Sequence, residues 1–107
     1  MTDKASDVPG VSDVSDVVVT NNDAAKRYEA RVDGDLAGAA YYDVADDLIV
    51  FTHTEVDDAF EGHGVGSTLA RAALDDVRAD GRRRVVASCP FIRAWIERHP
   101  DYQDLLE

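Results

Sequence analysis

The chain holds a single cysteine, Cys89. No intrachain disulfide can form, which points to a reducing compartment. Lysine is almost absent, at Lys4 and Lys26 only, and 11 basic residues stand against 22 acidic ones, a formal net charge of -11. That balance argues against nucleic acid as a partner, because no broad basic surface exists to neutralise phosphates. No apolar run approaches the ~20 residues of a membrane span. The opening stretch MTDKASDVPGVSDVSD has no apolar segment of the kind a signal peptide needs. The expectation is a cytoplasmic protein with no membrane partner. His53, Glu55, His63 and His99 share no metal-ligand spacing, so no metal is expected either.

What is present is acid, and mostly one acid: 17 of the 22 acidic residues are Asp. The bias suits a surface kept soluble in high salt, where screening is severe and long-range steering of a substrate is weak. A chain of 107 residues that is 45% hydrophobic supports one domain with one core. Residues 1–16 are polar and acidic, punctuated by Pro9 and Gly10, and read as a disordered tail. Residues 17–107 are the folded domain, expected as a monomer or weak homodimer.

Taken in order, Val17–Thr20 is β-branched and predicts a short first strand, with a turn at Asn21-Asn22-Asp23. Residues 25–32 alternate loosely, Asp33-Gly34-Asp35 is a hairpin turn, and residues 36–44 return as a strand. Asp46-Asp47 turns the chain into a fourth strand, Leu48–Val56. The result is an antiparallel four-strand meander. Leu69, Ala70, Ala73, Leu74 and Val77 then recur at helical spacing within a helix from about Gly64 to Ala79, stopped by Asp80-Gly81. Arg84–Ser88 is a fifth strand, which follows a helical crossover and should lie parallel to the fourth. Cys89-Pro90 opens a last helix to about Arg98, with Pro suited to the first helical position, and Tyr102 to Leu106 adds a turn.

The centre of this organisation is VFTHTEVDDAFEGHGVGSTL, from Val50 to Leu69. A strand leads through an acidic loop and Gly62, Gly64 and Gly66 into a helix. Glycines let a ligand approach the backbone, and the first helical turn offers free N–H groups and the positive dipole end. A pyrophosphate fits such a place. A P-loop would need Lys before Ser67-Thr68, and a dinucleotide fingerprint would need its third glycine where Ser67 stands, so both fit poorly. A flexible turn before a helix is the bland alternative.

Glu61-x-x-Gly64-x-Gly66 resembles the pyrophosphate motif of the GCN5-related N-acetyltransferases. Three further stretches, His53-Thr54-Glu55-Val56, Cys89-Pro90-Phe91 and His99-Pro100-x-Tyr102, resemble the small, minimal subgroup of that superfamily. The resemblance spans about residues 18–106. It departs from the superfamily at Glu61, where Arg or Gln is usual, although Glu is common in the minimal subgroup. It implies an α+β fold: a mixed, mostly antiparallel β-sheet, flanked by helices, with strands 4 and 5 parallel and splayed. This is the minimal form of the acyl-CoA N-acyltransferase fold. It also implies acetyl-CoA as cofactor and transfer of an acetyl group to the amine of a small molecule or peptide. A non-catalytic module that binds CoA or acyl-CoA is the alternative.

On this reading the cofactor-binding residues are Val56, Glu61, Gly62, His63, Gly64, Val65, Gly66 and Ser67. The catalytic candidates are His53, Glu55 and Cys89. His53 and Glu55 sit two apart on a strand and so share a face, where a base for the incoming ammonium is needed. Cys89 lies at a helix N-terminus, which favours a thiolate; a small buried thiol is its other reading. Tyr102 is either an acid for the leaving thiolate or a packing residue. Arg82-Arg83-Arg84 either meets the 3′-phosphate of CoA or is a solvated turn. Phe91, Ile92 and Trp95 are expected in the core.

Overall fold

Short β-rich segments joined by turns of two to four residues leave the chain one economical arrangement, a meander. The computed structural model describes residues 17–62 and 64–107. The tail expected over residues 1–16, and His63, lie outside the described residues. Five strands form one sheet in the order β1 (Val17–Asn22), β2 (Arg27–Val32), β3 (Asp35–Ala45), β4 (Leu48–Val56) and β5 (Arg84–Ala87). The first four are antiparallel neighbours, and β5 lies parallel to β4. The β2–β3 turn is Asp33-Gly34, with φ of 53° and 86°. Both values are left-handed, which matches the twist of a two-residue hairpin and suits Asp-Gly.

The first turn falls later than the sequence suggests. Asn21 and Asn22 pair with Tyr28 and Arg27, so β1 runs through them. The turn is carried by residues 23–26, where Ala25 N–H donates to the side-chain oxygen of Asn22. Asparagine extends the strand here because its side chain also satisfies the turn's backbone.

Two helices cover one face of the sheet. Helix α1 (Val65–Asp80) buries Val65, Leu69, Ala70, Ala73, Leu74 and Val77, the stripe expected from the spacing, with Val65 added. Ala70 and Ala73 share one core with Ala30, Ala37 and Ala40 of the sheet, small residues on both layers that permit a close approach. Gly38 on β3 does the same at the helix start: a Cβ there would lie 2.8 Å from the Glu55 carbonyl oxygen and 3.3 Å from Val65 Cγ1. Gly81, with φ 74°, caps the other end by donating to the Val77 carbonyl. Helix α2 (Pro90–Glu97) buries Ile92, Trp95 and Ile96. A 3-10 turn, Pro100–Leu105, follows and buries Tyr102 and Leu105. Fully burying a side chain of the size of Leu69, Leu74 or Ile92 stabilises by about 1.5–3 kcal/mol.

A β-bulge decides what β4 presents. Tyr42 faces Phe51 but Tyr41 faces His53, so Thr52 is an extra residue on β4. Ile49 and Phe51 point into the core. Unbroken alternation would send His53 and Glu55 after them. The bulge instead sends Thr54 and Val56 to the helix side and turns His53 and Glu55 to the opposite face, beside Tyr41. Pairing between β4 and β5 ends at Phe51 and Ala87. Residues 52–56 of β4 continue with β3 alone. The two strands are parallel as expected, and β5 is the shorter, so the second half of β4 has no strand partner on that side.

Candidate functional site

The site forms where β4 outruns β5 and the chain turns into α1. A 3-10 turn, Asp58–Phe60, fills the acidic loop, capped by Asp57, whose side chain accepts from Ala59 N–H. Gly62 and Gly64 follow with φ of 87° and 76°. Gly64 is the residue before the helix, and no side chain caps it. The first bond of the helical ladder runs from Thr68 N–H to the Gly64 carbonyl, 3.0 Å. The N–H groups of Val65, Gly66 and Ser67 therefore lie outside the ladder. With no acidic side chain in the first turn of α1, the positive end of the dipole is uncompensated there.

These donors open into a groove of about 500 Å³. Val56, Glu61, Gly62, Gly64, Val65, Gly66 and Ser67 all line it, which brings together every described residue expected to bind the cofactor. His63 lies outside the described residues. Not all of them serve by side chain. Val65 is buried in the core and offers only backbone. Ser67 Oγ accepts from the Trp95 indole at 2.9 Å, which keeps its hydroxyl proton for another partner. Gly66 has a different reason to be glycine: a Cβ there would lie 2.9 Å from Phe91 Cζ. It lets α2 pack on α1.

The opposite wall was not legible in the sequence. It is built by Phe60, Phe91, Trp95, Arg98 and His99. Phe91, expected in the core, is 37% exposed and forms this wall, whereas Ile92 and Trp95 are buried as expected. His99 stacks on Trp95 with centroids 3.7 Å apart. Its Nδ1 lies 2.7 Å from the Trp95 carbonyl oxygen, an acceptor only. Nδ1 must therefore carry the proton, leaving Nε2 as the acceptor of the neutral ring.

His53 and Glu55 share one face, as their spacing requires. His53 Nε2 is 3.1 Å from Glu55 Oε2, and both side chains are exposed. A carboxylate partner places the proton on Nε2 and leaves Nδ1 of the neutral ring to accept another. The His53 ring also stacks on Tyr41, 6.0 Å between centroids. Such an exposed pair adds little stability.

Cys89 marks the point where β4 and β5 part. Its N–H donates to the Phe51 carbonyl at 2.8 Å, and its Sγ is 3.3 Å from Thr54 Oγ1. It precedes α2 as expected, with Pro90 at the first helical position. The thiol is only 2% exposed, so the helix N-terminus does not present it to solvent.

Tyr102 does not line the groove. Its hydroxyl donates to Asp75 at 2.7 Å and accepts from Arg71 at 3.2 Å. The Asp75 carboxylate, and then burial, push the phenol above its ordinary range. It docks the C-terminal turn on α1. Arg82, Arg83 and Arg84 stand at the far end of α1. Arg82 and Arg83 reach Asp80, and Arg84 donates to the carbonyls of Asp104 and Leu106. None of the three lines the glycine groove: Arg82 and Arg83 pair with the last turn of the helix, Arg82 largely in solvent, and Arg84 alone ties to the C-terminus.

A larger cleft of about 620 Å³ lies at that far end, lined by Tyr28, Tyr42, Asp23, Asp76 and Arg83 among others. Its polar groups are mostly satisfied by one another. Tyr28 donates to Asp76 and Tyr42 to Asn21, each at 2.7 Å, leaving Arg83 Nε as a buried donor without a partner. Size favours this cleft, but free backbone donors favour the glycine groove, and donors decide where an anion goes. Among the described residues no group of three or more His, Cys, Asp or Glu is placed to hold a metal, and no helix is long and apolar enough to cross a membrane.

Comparison with known proteins agrees with this geometry. The profile of the GCN5-related N-acetyl-transferase family matches residues 27–105. Protein NATD1 of Bos taurus is 32% identical over 95 residues, covering 86% of this chain and 83% of the relative. Protein NATD1 of Xenopus tropicalis is 30% identical over 88 residues, 80% of each. Protein NATD1 of Homo sapiens is 31% identical over 77 residues, 70% of this chain and 67% of the relative. With a profile match running from β2 to the C-terminal turn, on a sheet whose two parallel strands part beside a glycine-led helix, the chain belongs to the GCN5-related N-acetyltransferase family.

Proposed function

We propose that the protein is an acetyl-CoA-dependent N-acetyltransferase acting on the amine of a small molecule or peptide. The observation that carries this is the uncapped start of α1, whose free N–H groups open into the groove beside the unpartnered half of β4. Bound acetyl-CoA supplies an acetyl group activated as a thioester.

The chain's own residues divide the work. The N–H groups of Val65, Gly66 and Ser67, with the loop from Glu61 to Gly64, hold the pyrophosphate. Val56, Phe60 and Phe91 give the groove its apolar wall. Residues 52–56 of β4 offer backbone groups that no β5 residue takes, one N–H of which stabilises the developing oxyanion. His53 takes the proton of the ammonium at Nδ1, and Glu55 fixes the ring through Nε2–H. Cys89 packs against Thr54 and closes the apex of the gap. His63 is assigned to the loop by its place in the sequence alone.

Calorimetric titration with CoA and with acetyl-CoA tests the site, and thiol release from acetyl-CoA with a panel of amines and peptides tests the reaction. Binding and turnover are expected. Binding with no turnover on any amine would favour the non-catalytic CoA-binding module, and no binding would end both readings.

A further inference from the structure

We propose that Arg98, at the C-terminal end of α2, is the side chain that neutralises the pyrophosphate in the glycine groove. This rests on the cofactor reading above and adds a residue that the glycine loop itself does not supply.

The groove needs a cation. The start of α1 provides roughly half an elementary charge, against two negative charges on a pyrophosphate diester. The loop contributes the opposite sign: Glu61 lines the same groove and is exposed. Among the described residues Arg98 is the only Lys or Arg lining it.

Arg98 is also uncommitted. Arg27 and Arg31 bind Glu29, Arg78 binds Asp104, and Arg82 and Arg83 reach Asp80. Arg71 donates to Tyr102, and Arg84 and Arg93 donate to backbone carbonyls. The Arg98 guanidinium bonds to no described residue, while its backbone N–H is fixed on the carbonyls of Ala94, Trp95 and Ile96. A side chain with an anchored base and a free fork, facing backbone donors across a groove, has the chemistry of a phosphate clamp.

The test measures affinity for three probes, CoA, dephospho-CoA and pantetheine, in wild type, Arg98→Ala and Arg98→Lys, with melting curves as a folding control. Arg98→Ala should weaken CoA and dephospho-CoA alike, by about tenfold or more, and leave pantetheine unchanged. Arg98→Lys should recover part of the loss, since it keeps charge but not the fork. Glu61→Arg placed in the Arg98→Ala background should restore binding by moving the cation across the groove. Equal CoA affinity in wild type and Arg98→Ala would overturn the assignment while leaving the cofactor reading intact. A loss seen with CoA but not dephospho-CoA would move Arg98 to the 3′-phosphate and overturn it as well. A wild type that binds none of the three would remove the cofactor reading itself.

Discussion

The two ends of α1 are built from similar materials and do opposite things. At the C-terminal end, near the start of β4, polar groups are joined to one another. Gly81 caps the helix, Arg78 bridges to Asp104, and Arg84 N–H donates to the Asp47 carbonyl. At the N-terminal end, near the finish of β4, the donors are left open. Gly64 provides no side-chain cap, β4 has lost β5, and Arg98 has no described partner. Charge density does not distinguish the ends, because at the arginine-rich one the polar groups are mostly paired with one another, Arg83 Nε excepted. An anion site is marked by several backbone donors left side by side without acceptors at a helix start, rather than by a lone side-chain donor such as Arg83 Nε. The cleft at the satisfied end is the larger of the two, so volume alone would mislead.

If that contrast holds, changes at the open end should alter function more than stability. Changes elsewhere should do the reverse. The largest effect is expected at His53. His53→Ala should lower the acetyl-transfer rate by about 10²-fold or more, within the range for a positioned base, with CoA affinity and melting temperature unchanged. A pH–rate profile checks it: any limb that His53 supplies should vanish in His53→Ala and survive in Glu55→Gln at reduced rate. A limb that persists in both variants assigns the titration to the amine.

Gly64→Val comes next. A φ of 76° costs a β-branched residue about 1–2 kcal/mol, and relaxing it moves the first-turn N–H groups. CoA affinity should fall about tenfold or more, measured by calorimetry on a folded variant. Unchanged affinity would detach the phosphate site from this turn.

Glu29 lies away from both ends, on the uncovered face of β2. Hydrogen bonds from Asn22, then Arg27 and Arg31, hold its carboxyl at about 2, below the usual 4.5. A depressed folded-state value means the stabilisation is complete above the unfolded value. It is lost as pH falls from about 4.5 toward about 2. Glu29→Gln should therefore cost about 1–2 kcal/mol at neutral pH, flatten the acid limb of stability in that window, and leave CoA affinity alone. Denaturant melts across the pH range measure it. An unchanged acid limb would show that the cluster is not what titrates.

The smallest effect belongs to the satisfied end. Tyr28 is buried, and its hydroxyl donates to Asp76. Burial, and then the carboxylate, raise the phenol well above its usual range. Tyr28→Phe should cost about 1 kcal/mol with no change in CoA affinity. A large affinity loss would mean that the two ends are coupled.

Elements with local signatures were legible in the sequence. Asp33-Gly34 and Asp46-Asp47 set the turns, the stripe from Leu69 to Val77 set α1, and Pro90 set the start of α2. The glycine loop was legible too, because glycines before a helix have few other uses. What was hidden came from non-local packing. Alternation through Ile49, Phe51, His53 and Glu55 is unbroken, so nothing local announces the bulge at Thr52 that turns the last two to the other face. Phe91 follows a buried-looking Cys-Pro pair, yet the glycine at position 66 draws it against α1 and out to the groove. Arg98 and His99 reach the site only because α2 folds back beside the start of α1. The usual sequence cue for a phosphate cation, a basic residue in the glycine loop, is replaced here by Glu61.

The central claim is that the open end of α1 takes the cofactor and the satisfied end does not. Backbone amide shifts followed during titration with CoA test it most directly. The account predicts that Gly62, Gly64, Val65, Gly66, Ser67 and Arg98 shift together with one affinity, while Asp23, Tyr28, Asp76 and Arg83 stay fixed. Shifts confined to Asp23, Asp76 and Arg83, with the amides of Val65 to Ser67 unmoved, would contradict it.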